Sequence, residues 1–143
     1  ERLEPDRTDT NLEQCARVWA QRRPRRGLVV VISDLCDPHG FENGLDVLRY
    51  HRDEIQVVHL TDPSESRPSF LGDLELVDTE TGQLRTVTVR EKHLKQYRRA
   101  FETFLERAEH TCRQREVRYL HSTTDVPFEE LVLTVLRRAG AVE

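Results

Sequence analysis

The chain has 143 residues, of which 36% are hydrophobic and 34% charged, and its formal net charge is −4. This length suits one domain with a modest core, and the acidic balance argues against a nucleic-acid-binding protein, which would usually be basic. Cys15, Cys36 and Cys112 are odd in number and form no CxxC pair, so we predict buried free thiols and neither a disulfide framework nor a zinc motif. The apolar runs are too short to cross a membrane, and a reducing, cytoplasmic setting is expected.

The N-terminal third of the chain predicts a helix followed by a buried strand. Residues 1–9 are polar and are expected to form an irregular lead-in. The segment Thr10-Asn11-Leu12-Glu13 has the form of a capping box, with Thr10 as the N-cap of a helix that ends near Pro24. Five apolar residues at 28–32 then follow without alternation, which is typical of a central parallel strand buried on both faces. Asp34 lies just past the carboxyl end of that strand, the edge at which open α/β sheets bind ligands.

The remaining elements continue the alternation of helices and strands, with one interruption. Two alternating runs at 74–77 and 84–89 flank a turn that contains Gly82, and they predict a β-hairpin inserted over residues 70–90. The other predicted elements are a short helix over 41–48, a buried strand over 55–60, a long amphipathic helix over about 92–114, a strand over 117–120 and a last helix that starts near Pro127.

This order of elements predicts an α/β fold. We expect a small, mostly parallel sheet with helices on both faces plus the β-hairpin insertion, within a single domain over residues 1–143 or the C-terminal part of one. Three core strands make a small sheet, so one of its edges is expected to lack a neighbour.

The strand ends suggest a site for a hard cation. Asp34 and Asp37 follow the first strand, Asp62 follows the second, and Thr10 stands at a helix start before the first strand. Carboxylates and hydroxyls without imidazole or thiolate suit Mg²⁺ or Mn²⁺. Structural roles remain open beside this one, because Thr10 is a suitable N-cap and Asp37 precedes a proline as turn residues often do.

Several stretches, spread over about residues 8–140, carry a resemblance to a known family. They are Thr10-Asn11-Leu12, Val29-Val30-Val31-Ile32-Ser33-Asp34-Leu35-Cys36-Asp37-Pro38, His59-Leu60-Thr61-Asp62-Pro63-Ser64-Glu65, Gly72-Asp73-Leu74-Glu75-Leu76-Val77-Asp78-Thr79-Glu80-Thr81-Gly82 and Pro127-Phe128-Glu129-Glu130-Leu131. They resemble a bacterial family known as domain of unknown function fifty-eight. Its fold is similar to a von Willebrand factor type A domain, and its members are typically encoded beside MoxR-type AAA+ ATPases.

The resemblance implies a metal-ion-dependent adhesion site. Thr10 matches the threonine of such a site and Asp34 its last aspartate, with Asp37 as a candidate for the surrounding shell. The Asp-x-Ser-x-Ser motif of the site is expected upstream of Glu1, so the chain is read as the C-terminal portion of the domain. Mg²⁺ or Mn²⁺ would then belong to the full-length protein and not to these residues alone. The parent protein could also be anchored in a membrane by upstream helices.

The resemblance implies a domain that recognises a protein partner and does not catalyse a reaction, and a AAA+ ATPase is a candidate partner. A basic cluster of Arg22, Arg23, Arg25 and Arg26 is a second candidate contact surface. A homodimer through the exposed sheet edge remains an option, because such edges invite pairing.

Two alternatives to a cation-dependent interaction domain stay open. The first is a metal-independent structural or interaction module. The second is a Mg²⁺-dependent phosphoryl-transfer or hydrolase domain that uses Asp34. A cysteine nucleophile at Cys36 with His39 is disfavoured, because the two lie close together on one loop and no third group is evident to orient them.

Overall fold

A computed structural model describes residues 11–22, 27–50, 54–77 and 82–138. The described residues form five helices and five strands. In chain order these are α1 (Leu12–Arg22), β1 (Leu28–Ser33), α2 (Glu42–Tyr50), β2 (Glu54–Thr61), α3 (Pro63–Ser66), β3 (Gly72–Val77), β4 (Leu84–Val89), α4 (Glu91–Gln114), β5 (Arg118–Thr123) and α5 (Phe128–Arg138).

The strands form a parallel sheet and a separate hairpin, which confirms the predicted α/β fold class. In the sheet the order is β1-β2-β5, with Val31 of β1 opposite Val57 of β2 and Val57 opposite Tyr119 of β5. The hairpin pairs β3 with β4 in antiparallel register. Gly82 begins the return to β4 with φ of 69°, a positive value that glycine adopts readily. The rest of that turn, 78–81, lies outside the described residues.

Helices cover both faces of the sheet, as predicted. Side chains of α1, α2 and α4 pack against one face around Val31 and Val57. On the other face, Val135 of α5 packs against Val58 and Leu120. The main core cluster comprises Ala16, Val31, Leu35, Phe41, Leu45, Leu48, Ile55, Val57, Ala108, Cys112 and Val117. Among the described helices, none is long and apolar enough to cross a membrane.

The prediction that β1 is a central strand buried on both faces is wrong. β1 is an edge strand of the described sheet, and the side chains of Leu28, Val30 and Ile32 are 39%, 40% and 57% exposed. The central strand is β2, whose residues 55–59 are all buried. A run of apolar residues indicates that a strand is hydrophobic, but it does not indicate which strands lie beside it. In β2 the polar residues Gln56 and His59 interrupt the apolar pattern although both are fully buried.

The start of α1 also differs from its prediction. The helix begins at Leu12, and the side chain of Asn11 accepts a hydrogen bond from the Gln14 backbone N–H at 2.8 Å, which makes Asn11 the N-cap. Glu13 does not complete a capping box, because its carboxylate accepts hydrogen bonds from Arg17 and Asn43. Thr10 lies outside the described residues.

The cysteines differ in burial. Cys112 is buried in the core, as predicted, whereas Cys15 and Cys36 are exposed, so the prediction of a buried thiol is wrong for these two. All three are free thiols.

Candidate functional site

Asp34 follows the last residue of β1 at the carboxyl edge of the sheet. Its side chain is exposed, and Oδ1 accepts a hydrogen bond from the Cys36 backbone N–H at 3.0 Å. The Ser33 hydroxyl accepts a second one from the Leu35 N–H at 3.0 Å, and Leu35 has a left-handed φ of 58°. The turn is therefore held by side chains on both sides of Leu35, and Oδ2 of Asp34 makes no hydrogen bond to a described residue.

Asp37 joins this loop to the start of α1. Its Oδ2 accepts a hydrogen bond from the Leu12 backbone N–H at 2.7 Å, across 25 residues of sequence. Its Oδ1 accepts one from the His39 N–H at 2.8 Å. Leu12 is the first residue of α1 and its N–H has no partner within the helix, so Asp37 satisfies a group that α1 itself leaves open. The carboxylate thereby holds the helix start against the loop that carries Asp34.

Asp62 supports the end of β2 in a similar way. Its Oδ1 accepts hydrogen bonds from the Ser64 N–H at 2.8 Å and the Ser64 hydroxyl at 2.6 Å, and it is the N-cap of α3. Its Oδ2 accepts one from the Thr124 hydroxyl at 3.2 Å, just beyond β5. The hydrogen bonds from Ser64 and then Thr124 lower the pKa of Asp62. This carboxylate therefore joins the ends of two neighbouring strands and stays ionised.

The Asp-x-Ser-x-Ser spacing, which is expected upstream of Glu1, also occurs within the chain. Asp62-Pro63-Ser64-Glu65-Ser66 has this spacing, and it stands at the end of β2, beside the strand that leads to Asp34. A scan for the spacing at every strand end would have found it. The hydroxyls of Ser64 and Ser66 donate to Asp62 and to the Pro63 carbonyl, so each retains lone pairs that could accept a cation.

The described residues offer an incomplete set of cation ligands. Over 11–22, 27–50, 54–77 and 82–138, no group of three or more His, Cys, Asp or Glu is placed to hold a metal ion. Asp34 supplies one carboxylate oxygen without a hydrogen bond, whereas the oxygens of Asp37 and Asp62 are already engaged. Mg²⁺ demands near-ideal octahedral oxygen ligands and gives up water reluctantly. These side chains therefore do not by themselves fit a resident Mg²⁺.

A buried histidine lies beneath this edge and was not singled out as a site by sequence reasoning. His59 of β2 is fully buried, and its Nδ1 is 2.7 Å from the Tyr119 hydroxyl. Its ring meets those of Phe104, Tyr119 and His121 edge to face at centroid distances of 5.4, 5.9 and 5.5 Å. Among the described residues Nε2 has no hydrogen-bond partner. A polar residue in the middle of a buried strand is the signal that could have identified it.

Burial keeps the His59 ring neutral. The pKa of His59 is lowered from 6.5 to about 4, mainly by burial and to a smaller extent by the nearby His121. The backbone and the negative charge of Asp34 act in the opposite direction but do not outweigh them. His121 is itself hydrogen-bonded, with its Nε2 2.9 Å from the Thr61 hydroxyl, and burial lowers its pKa as well.

The nucleophile reading of Cys36 gains no support from its surroundings. Its Sγ lies 3.6 Å from the Asp34 carbonyl oxygen. Partial burial and then the carboxylates of Asp34 and Glu65 raise the pKa of the thiol. A reactive cysteine needs the reverse, a positive environment that stabilises the thiolate.

The predicted arginine cluster is only partly described. Arg22 is exposed at the end of α1. Arg23, Arg25 and Arg26 lie outside the described residues, so the cluster stays a prediction.

Comparisons with known proteins place the chain in a family. It is 36% identical over 72 residues to an uncharacterised protein, MAV169, from Mycobacterium avium, a match that covers 49% of this chain and 42% of the relative. The match thus spans less than half the length of that relative, and no solved structure matches significantly. The sequence profile of the family described as Protein of unknown function DUF58 matches residues 2–111, most of the chain. The chain belongs to this family.

Proposed function

We propose that this chain is a non-enzymatic protein-interaction domain whose contact with its partner depends on a divalent cation and on Asp34. The cation would be Mg²⁺ or Mn²⁺, with Thr10 and Asp34 among its ligands in the full-length protein. The partner would be a MoxR-type AAA+ ATPase or a protein on which that ATPase acts. The von Willebrand factor A-like fold and the ATPase partner are proposed on the basis of the family resemblance described above.

The single observation that supports this proposal best is that the Asp34 carboxylate is exposed and has one oxygen without a hydrogen bond to a described residue. Three aspartates follow strands β1 and β2, and those at Asp37 and Asp62 each accept hydrogen bonds with both oxygens. Asp34 is exposed and leaves Oδ2 without such a bond to any described residue, at the edge where α/β sheets bind ligands. A carboxylate held by a hydrogen-bonded turn and open to solvent is suited to accept a cation or a basic side chain.

A non-catalytic role agrees with the chemistry around Asp34. A phosphatase or hydrolase would need a second acid or base within reach of the same substrate. Two described candidates near Asp34 are unsuited to this role, since Asp37 accepts hydrogen bonds from backbone N–H groups and the raised pKa of Cys36 favours its protonated thiol.

A metal-independent interaction module is the second candidate, because the hairpin exposes apolar side chains. Leu76 and Val77 of β3 and Leu84 of β4 are 51%, 59% and 69% exposed. A projecting hairpin with apolar side chains near its tip can contact a partner without any cation. In that case Asp34 would contribute nothing to binding.

Thermal unfolding in a Mg²⁺ or Mn²⁺ titration tests the proposal. A cation that binds only the folded chain raises the melting temperature with its concentration. We expect a rise in the full-length protein that is lost in Asp34→Asn and kept in Glu75→Gln, a matched change of an exposed carboxylate on the hairpin. No rise in the full-length protein would contradict cation dependence. Turnover of a phosphoester that is lost in Asp34→Asn would contradict the non-enzymatic role.

A further inference from the structure

The first half of α4 carries a cluster of exposed positive charges. Lys92, Lys95, Arg98 and Arg99, here called the α4 basic patch, are all exposed, and the two lysines are the only ones in the chain. None of the four forms an ion pair with another described residue. Glu91 and Glu102 border the patch, but neither lies within ion-pair distance of its members in the described structure. The patch thus places four cations on a chain whose net charge is −4.

In the second half of the same helix, and directly after it, arginines form ion pairs with described acidic residues. Arg107 forms an ion pair with Glu42 of α2 at 2.8 Å, and Arg113 forms one with Glu109 at 2.9 Å. Arg115, directly after the helix, contacts Asp46 at 2.9 Å. Arginines in and directly after the second half of α4 therefore pair with acidic residues, whereas the four cations of its first half pair with none that the structure describes.

The helix geometry gathers the patch on the solvent side. Lys92, Lys95 and Arg99 stand at i, i+3 and i+7, which places them on one face along about 10 Å of helix. Leu94 and Phe101 lie on the opposite side and are partly buried. Because the apolar side of α4 is turned inward, the basic side is presented to whatever approaches the domain.

We propose that the α4 basic patch binds an acidic segment of a partner protein. Exposed guanidinium and ammonium groups that pair with no other described residue are suited to carboxylates, and arginine can hold one with two hydrogen bonds. The patch is short enough to match a few carboxylates. A nucleic acid or a membrane surface carries negative charge over a much larger area and would also meet the excess acid of the rest of the chain. The contact needs no cation and is independent of the proposed role of Asp34.

Binding of a fluorescently labelled oligoglutamate peptide, measured by anisotropy in the presence of a chelator, tests this surface. The patch variant is Lys92→Gln/Lys95→Gln/Arg99→Gln. The matched control is Arg49→Gln/Arg107→Gln/Arg113→Gln, which removes the same number of charges from ion pairs with Glu116, Glu42 and Glu109. Circular dichroism establishes that each variant is folded.

We expect the patch variant to bind the peptide about tenfold more weakly than the unchanged protein, while the control stays within about twofold. Binding should also weaken as salt rises, since exposed charges are screened. Equal affinity of the patch variant and the unchanged protein would overturn the proposal, as would the absence of binding at low salt. Tighter binding to phosphatidylserine vesicles or to single-stranded DNA than to the peptide would overturn the choice of an acidic protein segment.

Discussion

Replacement of His59 by phenylalanine should remove much of the acid sensitivity of this fold. His59 is fully buried, and its pKa is lowered from 6.5 to about 4, mainly by burial. Between these two pH values the unfolded chain binds a proton that the folded chain excludes. The stability that His59 contributes is therefore complete above about pH 6.5 and is lost as the pH falls towards 4.

The size of the effect follows from the two pKa values. A drop from 6.5 to about 4 corresponds to about 3 kcal/mol of unfolding free energy. The experiment is urea unfolding of the original protein and of His59→Phe at a series of pH values from about 7 to 4. We expect the free energy of unfolding to fall by about 3 kcal/mol more in the original protein than in the variant over this range.

Two features of this experiment separate the titration of His59 from other effects of the substitution. His59→Phe also loses the hydrogen bond to Tyr119, which lowers stability at every pH, so only the difference in pH dependence is read. His121 is present in both proteins, and most of its own titration cancels. The matched control is His110→Gln, a change of an exposed histidine on α4, which separates the loss of the buried ring from the loss of a histidine as such. Parallel curves for the original protein and His59→Phe would refute a buried, neutral His59.

Two further changes test how the loops and helices are held together. Asp37→Ala should lower the free energy of unfolding by about 1–3 kcal/mol, because the N–H groups of Leu12 and His39 lose their acceptor. Urea unfolding measures this free energy. A change below about 0.5 kcal/mol would contradict the structural role of the carboxylate. Gly44→Ala should lower the melting temperature by several degrees at a cost of about 1–3 kcal/mol, since the new Cβ would lie 2.6 Å from Leu12 Cγ and 3.0 Å from its backbone carbon. An unchanged melting temperature would mean that α1 can move away from α2 freely.

Local patterns in the sequence predicted most of the fold. The alternation in 74–77 and 84–89 gave the hairpin, and the spacing of apolar residues over about 92–114 gave α4 to within one residue at its start. Such features depend on residues that are near one another in sequence, so they can be predicted from one sequence. The one-turn helix α3 is not among the predicted elements, because an Asp-Pro pair is as typical of a turn as of a helix start.

The order of strands and the roles of acidic residues could not be predicted in the same way. The strand with the most continuous apolar run, β1, is at the edge, and the central β2 contains Gln56 and His59. Apolar composition does not tell which strands are neighbours. The hydrogen bond from Leu12 to Asp37 spans 25 residues, so nothing local distinguishes Asp37 from an ordinary turn aspartate.

The aspartates at the carboxyl edge of the sheet differ in how many hydrogen bonds they accept from described residues. Asp37 and Asp62 each hold backbone N–H groups, and their loss would leave those groups without acceptors. Asp34 makes one local hydrogen bond next to Leu35, whose left-handed conformation costs about 1 kcal/mol and persists because the surrounding turn enforces it. Replacement of Asp34 by asparagine keeps an acceptor for the Cys36 N–H and removes only the charge. An effect of Asp34→Asn on partner or cation binding would therefore report the role of that charge, separately from the stability of the fold.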